Sequence, residues 1–293
     1  MPELPEVETV VRGLRRLIIG ATVKSATTDN PKSFPNAPAD VADYLIGAQV
    51  ASIERRAKVL MIHLDSGYTL LVHLKMTGQL VYIGNNQRFG AGHPNDSLIQ
   101  ALPDKSTRVT IEFSDGSKLF FNDQRKFGWM RLLPTVSIPE IDFMKKVGPE
   151  PLADDFTSDD FMSRFQRRRR SSIKAALLDQ TVIAGVGNIY ADEALWGAGI
   201  HPSRRVESLS AVDFENLYAE LRAVLQTSID NGGSSDRNYV DAEGKRGSYL
   251  KFARVFRREG QACTRCGAII EKSRVAGRGT HTCPHCQPSD IIE

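Results

Sequence analysis

Four cysteines constrain this chain more than any other feature. Cys263 and Cys266 are two residues apart, sixteen residues follow, and Cys283 and Cys286 repeat the two-residue gap. Each Cys-x-x-Cys knuckle lets two thiolates converge on one ion, and two knuckles complete a closed tetrahedral sulfur shell around Zn²⁺. The spacing predicts one structural zinc ion in a small ribbon. Its strands are expected at Ala268-Ile269-Ile270 and Thr280-His281-Thr282, with Gly277-Arg278-Gly279 near the tip. A redox dithiol needs only one knuckle, so the competing arrangement is a mixed shell that uses His281 or His285. All four cysteines fall at the end of the chain, unlike the dispersed framework of a disulfide-stapled secreted domain.

The 293 residues, 41% apolar and 25% charged, leave room for two domains of ordinary size. No run approaches the length of a membrane span, and no targeting segment opens the chain, so a reducing cytoplasm is the expected setting. The formal charge of +3 says little about partners, but its distribution says more. Eight basic residues lie between Lys251 and Arg278 against Glu259 and Glu271, and Gln166-Arg167-Arg168-Arg169-Arg170 forms a second basic block. Single charge runs are commonly solvated faces; two in one half of a chain point toward a polyanion.

The opening MPELPEVETVVRGL places Val7, Val10, Val11, Leu14 and Leu17 at helical spacing. Pro5 suits a first helical turn, and Glu6 and Glu8 lie at the positive end of the helix. Most chain ends fray, but a docked helix starting this early holds Pro2 and Glu3 in place. If Met1 is removed, the new terminus is a secondary amine, a candidate nucleophile.

Beyond this helix, Val59–Leu64, Thr69–Leu74, Val109–Phe113 and Lys118–Phe121 read as strands, with turns at Asp65-Ser66-Gly67 and Ser114-Asp115-Gly116-Ser117. They predict a β-sandwich over residues 1–133 with a helix packed against it. Residues 84–106 read as a surface loop and 134–151 as a linker. From 152 to 233 the period is helical, with helices through Ile173-Ala176-Leu177, Ile189-Ala194-Leu195 and Leu217-Leu221-Val224-Leu225. A flexible polar loop is expected over 234–250, and the zinc ribbon over 251–288. The fold class is α+β, in several domains.

Three short motifs each have a plain and a functional reading. Gly185-Val186-Gly187-Asn188 is either a helix start with Asn188 as N-cap, or an amide nest aimed at a phosphate. His73-Leu74-Lys75-Met76-Thr77-Gly78 and Asp123-Gln124-Arg125-Lys126-Phe127-Gly128 put Met76, Arg125 and Phe127 on turns. There they either pack half-buried or wedge between DNA bases and fill the space left by an extruded one. Arg278 between glycines is either a solvated turn arginine or a phosphate contact.

Taken in order, MPELPEVETV, Lys58 in a basic strand, HLKMTG, DQRKFG, LLDQTVIAGVGNIYADEAL and CTRCG…VAGRGTHTCPHCQ resemble the bacterial formamidopyrimidine-DNA glycosylases across nearly the whole chain. The resemblance implies a β-sandwich carrying the catalytic terminus, a helix-two-turns-helix module and a zinc β-ribbon, with damaged double-stranded DNA bound between them. It implies a base-excision-repair enzyme, a bifunctional glycosylase and abasic-site lyase for 8-oxoguanine and formamidopyrimidines, acting as a monomer. Pro2 corresponds to the nucleophile and Glu3 to the general acid, with Glu6 organising the site. Lys58, His73, Asn188 and Arg278 match positions that contact phosphates around the lesion, Lys58 and Arg278 belonging to the catalytic set. Met76, Arg125 and Phe127 match the void-filling and wedging trio, and Lys174 matches a helix lysine with a structural or DNA-contact role. The loop near 234–249 corresponds to one that closes over the extruded base.

The chain departs from the family pattern in its long 84–106 excursion and in Lys105-Ser106-Thr107, where many members carry a His after the Lys. Members that remove oxidised pyrimidines usually begin Pro-Glu-Gly-Pro, so Leu4 favours the purine branch, as does the Arg125 and Phe127 pair. Intact Pro2 and Glu3 argue against a DNA-binding protein without activity.

Overall fold

The computed structural model describes residues 2–84, 86–93, 95–234 and 249–289. These fall into two compact units, one of residues up to 145 with 231–234, the other of 146–230 with residues from 249 onward.

The first unit runs α1 (Leu4–Ile18), β1 (Val23–Thr28), α2 (Pro38–Tyr44), β2 (Val50–Arg56), β3 (Val59–Leu64), β4 (Tyr68–His73), β5 (Gly78–Gly84), β6 (Gln87–Gly92), β7 (Thr107–Phe113), β8 (Lys118–Asp123) and β9 (Trp129–Pro134). The strands make two antiparallel sheets, ordered β1-β7-β8-β5-β6 and β2-β3-β4-β9. Their facing side chains, among them Ile62, Leu70, Val72, Leu80, Ile111 and Phe121, form one core with α1.

Helix α1 forms where its periodicity predicts, with Pro5 in the first turn, Glu6 near the positive end and Arg15 and Arg16 in the last turn. Val7, Val10, Val11 and Leu14 are completely buried. Side chains of this kind each contribute about 1.5–3 kcal/mol when removed from water. The helix packs chiefly on β2 and β6, an outer strand of each sheet. Gly13 makes this approach possible, because a Cβ there would lie 2.1 Å from Cζ of Phe89 on β6. Arg15 Nε donates to the Ile53 carbonyl of β2 at 2.7 Å.

Two expectations for this unit are corrected. The excursion over 84–106 is not a surface loop throughout: Gln87–Gly92 is a strand, and Phe89, Gly90, Ala91, Gly92, Ser97 and Leu98 are buried. Its glycines, which read as loop, lie where neighbouring chain comes close, Gly92 against Gly78 and Gln79 of β5 and Gly90 against Leu98. Lys58 lies in the β2–β3 turn and not in a strand, since Ala57 adopts a positive φ of 53°. The 134–151 segment contains a 3₁₀ turn over Thr135–Glu140 and α3 (Asp142–Lys146).

The second unit contains α4 (Ser158–Gln166), α5 (Ile173–Leu178), α6 (Asn188–Gly197), α7 (Ala211–Asp230), β10 (Glu271–Val275) and β11 (Arg278–Thr282). Phe161, Phe165, Leu177, Tyr190, Leu195, Phe214, Leu217 and Leu221 build its core. A smaller cluster of Trp196, Val255, Cys263, Ile270 and Cys283 lies under the ribbon. The ribbon's first strand begins later than expected. Residues 268–270 close the first cysteine knuckle instead, with Cys263 N donating to Ala268 O at 2.7 Å and Ile270 N to Gln261 O at 2.9 Å. The lesion-capping loop expected over 234–250 lies mostly outside the described residues; Ser234 and a 3₁₀ turn at Tyr249–Lys251 belong to them.

Candidate active site, zinc centre and nucleic-acid interface

Pro2 and Glu3 are buried at the start of α1, where Glu3 occupies the N-cap. Glu3 and Glu6 form a capping box, in which the Glu3 amide donates to Glu6 Oε2 at 2.9 Å. The other Glu6 oxygen accepts from the Ser234 amide at 2.8 Å. Glu6 thus joins the residue after Pro2 to the chain entering the 234–250 segment. Gly233 permits this contact, with φ +85° and an added Cβ only 3.2 Å from Glu6 Oε1.

Lys58 and His73 come together because β3 pairs with β4 and places Val59 opposite His73. Arg55 ties their turn to α1, pairing with Glu8 at 3.2 Å and donating to Ala57 O at 2.9 Å. Burial, helped by the positive charges of Lys75 and Lys58, pushes the His73 pKa down to about 3. His73 is therefore neutral near pH 7. Its Nδ1 accepts from the Lys75 amide at 3.0 Å, which puts the ring proton on Nε2 as a donor suited to a phosphate oxygen.

Met76, Arg125 and Phe127 lie on two turns made adjacent by the β5–β8 pairing of Gly78 with Asp123. Phe127 is 54% exposed, too open for a core residue, and the Arg125 guanidinium stacks 4.8 Å above its ring. Asp123, a residue the motif reading passed over, organises both turns. Its Oδ1 accepts from the Thr77 hydroxyl and from the Arg125 amide at 3.2 Å, and its Oδ2 from the Gly128 amide at 2.7 Å. An aspartate closing the apolar run Leu119-Phe120-Phe121 was the available signal, since a fully buried carboxylate needs donors close by.

In the second unit Gly187, not Asn188, is the N-cap of α6. Asn188 is the first helical residue, and its Nδ2 donates to Gly279 O at 3.0 Å, so one of its two amide hydrogens is used on the ribbon. The Gly185 amide, expected as part of a nest, donates to Gln180 Oε1 at 2.9 Å. Lys174, expected among the DNA contacts, is instead completely buried. Its ammonium donates to Asp192 Oδ1 at 2.6 Å, Thr280 Oγ1 at 2.8 Å and Gly279 O at 3.1 Å, which uses all three donors. Arg278 is exposed at the start of β11.

The sulfur atoms of Cys263, Cys266, Cys283 and Cys286 all lie within 4.8 Å of one another, with pairs at 3.9 and 3.4 Å. A tetrahedral shell with Zn–S of about 2.3 Å requires S···S near ~3.8 Å, so the donor set fits one Zn²⁺ ion. The Arg265 and Cys286 amides each donate to a cysteine sulfur at 3.4 Å, as suits thiolate ligands. Arg265 stacks 4.1 Å from the centre of the Trp196 ring, fastening the first knuckle to α6.

Sequence profiles match this division. The N-terminal domain of formamidopyrimidine-DNA glycosylase matches residues 1–130, its H2TH domain 147–239, and a zinc finger found in that enzyme and in an aminoacyl-tRNA synthetase 260–288. The sandwich, the helical unit and the four-cysteine ribbon together define a helix-two-turns-helix DNA glycosylase. A relative from Herpetosiphon aurantiacus is 42% identical over 296 residues, covering 98% of this chain and all of its own length. One from Desulforamulus reducens is 39% identical over 290 residues, covering 98% and 99%. Both are formamidopyrimidine-DNA glycosylases. Two Lactococcus lactis structures superpose at TM-score 0.86 and 35% identity over 98% of this chain and all of theirs; one holds DNA containing Fapy-dG, the other DNA containing an abasic site. The chain belongs to the formamidopyrimidine-DNA glycosylase family.

Proposed function

We propose that Pro2, freed by removal of Met1, is the nucleophile with which this base-excision-repair glycosylase releases oxidised purines from duplex DNA and then cuts the strand. The observation that carries this reading is the burial of Pro2 and Glu3 at the positive end of α1, braced by Glu6. A terminal amine ordinarily titrates near ~8, and an adjacent helix start favours its neutral form.

The amine lone pair attacks deoxyribose C1′, the bond from C1′ to the base breaks, and the base leaves with a proton. Glu3 donates a proton to the sugar-ring oxygen as the C1′–O4′ bond opens, leaving an iminium between Pro2 and C1′. The iminium acidifies C2′–H. Loss of that proton expels the 3′ phosphate, and a second elimination expels the 5′ phosphate. Lys58, neutral His73, Asn188 and Arg278 are assigned to the phosphates around the lesion, while Met76, Arg125 and Phe127 fill the space left in the duplex. Zinc holds the ribbon and takes no part in the chemistry. The protein works as a cytoplasmic monomer on nucleoid DNA, with the domain limits 1–133, 152–233 and 251–288.

Borohydride added during incubation with 8-oxoguanine duplex is expected to trap a covalent adduct at Pro2. Retention of Met1 is expected to abolish the adduct and leave binding intact. No adduct from the processed enzyme overturns the nucleophile assignment, and trapping only on an oxidised pyrimidine overturns the lesion assignment.

A further inference from the structure

Buried ion pairs seldom add stability over a well-packed apolar substitute, so one that persists calls for another explanation. Lys174 and Asp192 are both completely buried in the second unit. Beyond each other, their side chains hold the residues that follow Arg278. Lys174 Nζ holds Gly279 O and Thr280 Oγ1, at 3.1 and 2.8 Å. Asp192 Oδ2 accepts from the His281 amide at 3.0 Å and contacts His281 Nδ1 at 3.2 Å. The Thr280 hydroxyl, while accepting from Lys174, donates to the carbonyl of Arg278 itself at 3.0 Å.

We propose that Asp192 is the positioning residue for Arg278, acting through Lys174 and the Thr280 hydroxyl to fix the backbone that presents the guanidinium to a DNA phosphate. The chain of contacts runs from a helix carboxylate, through a buried ammonium and a hydroxyl, to the arginine's own peptide. Three consecutive residues after Arg278 are thereby held to α5 and α6, Gly279 and His281 by their backbone and Thr280 by its hydroxyl, and Asn188 adds a second donor to Gly279 O. An exposed arginine at a two-stranded tip loses much of its freedom once the residues beside it are clamped, so less entropy remains to be lost on binding phosphate. The role of Arg278 as a phosphate contact belongs to the function proposed above, and this inference rests on it.

The test uses the full-length, zinc-loaded protein and a duplex carrying a tetrahydrofuran abasic analogue, with affinity measured from low to moderate salt. Asp192→Asn keeps the volume and removes the charge; Thr280→Val keeps the shape and removes only the hydroxyl. Asp192→Asn is expected to weaken binding about tenfold and Thr280→Val about threefold, as charged and neutral hydrogen bonds respectively. Asp192→Asn is also expected to flatten the dependence of log K on log salt by about one phosphate contact. Combined with Arg278→Ala, neither variant weakens binding further, because all act on one contact. Zinc content and a cooperative melt establish that each variant is folded, and if Asp192→Asn does not fold, Thr280→Val decides alone. Losses that add to that of Arg278→Ala, or wild-type affinity and salt dependence in folded Thr280→Val and Asp192→Asn, overturn the positioning role. If Arg278→Ala itself changes neither affinity nor salt dependence, the phosphate assignment falls, and the positioning role falls with it.

Discussion

Replacing His73 by Gln measures how strongly the fold resists protonation beside Lys58. The imidazole titrates at 6.5 in an unfolded chain and at about 3 in the folded one, because burial and the charges of Lys75 and Lys58 disfavour the imidazolium. Below pH 6.5 the unfolded state takes up a proton that the native state refuses, so stability present above that pH is lost as the pH falls toward 3. Linkage gives a loss of about 0.8 kcal/mol at pH 6 and about 2 kcal/mol at pH 5, from ~1.36 kcal/mol per pKa unit. Gln retains an acceptor for the Lys75 amide and carries no titrating group. The assay is urea unfolding of both proteins from pH 7.5 to 5, with the pH-dependent part taken as the difference between them. Wild type is expected to lose about 2 kcal/mol more than His73→Gln across that range. Parallel curves would show that the ring takes up its proton in the native state, and the role of Nδ1 as acceptor for the Lys75 amide would fall with them.

Three other perturbations probe separate parts of the structure. Gly13→Ala drives a methyl into the Phe89 ring and is expected to cost about 1–3 kcal/mol by overpacking, with partial recovery on adding Phe89→Leu; equal urea midpoints for Gly13→Ala and wild type would contradict the packing of α1 on β6. Asp123→Asn leaves at least one turn donor unmet and is expected to cost about 1–3 kcal/mol and to slow base release, read by denaturation and single-turnover kinetics. Chelation is expected to remove one zinc ion per chain and weaken DNA binding while the first unit keeps its melting transition; undiminished affinity after metal loss, checked by elemental analysis, would refute this.

Much of the scaffold could be read from the chain. Strands β3, β4, β7 and β8 are apolar or alternating and bounded by Asp, Ser and Gly, and α1 carries its helical period openly. Strand β6 did not show, because Gln87-Arg88-Phe89-Gly90-Ala91-Gly92 has a glycine-rich composition whose purpose appears only when Leu98 and β5 lie against it. Strand β2 was hidden for another reason: Ala51, Glu54 and Arg55 interrupt the apolar pattern of a strand on a sheet's edge. The candidate site divides similarly. The cysteines, Pro2 and Glu3 are legible because spacing and position carry their chemistry. Asp123 and Asp192 are not, since their partners Thr77 and His281 lie 46 and 89 residues away, and only folding brings them together. Lys174 illustrates the limit most clearly: a lysine beside a basic block reads as surface charge until its partner Asp192 is found.

The placement of α1 also governs when the amino-terminal helix can be buried during synthesis. Part of its seat is β6, which ends at Gly92, so the helix has no complete surface to dock on until that residue has been made. At about 5–20 residues per second, the ribosome leaves α1 undocked for several seconds. Any removal of Met1 during that interval acts on a helix that has not yet docked. Slowing translation through β6 would lengthen that interval, and a fast-folding variant of the sandwich would shorten it.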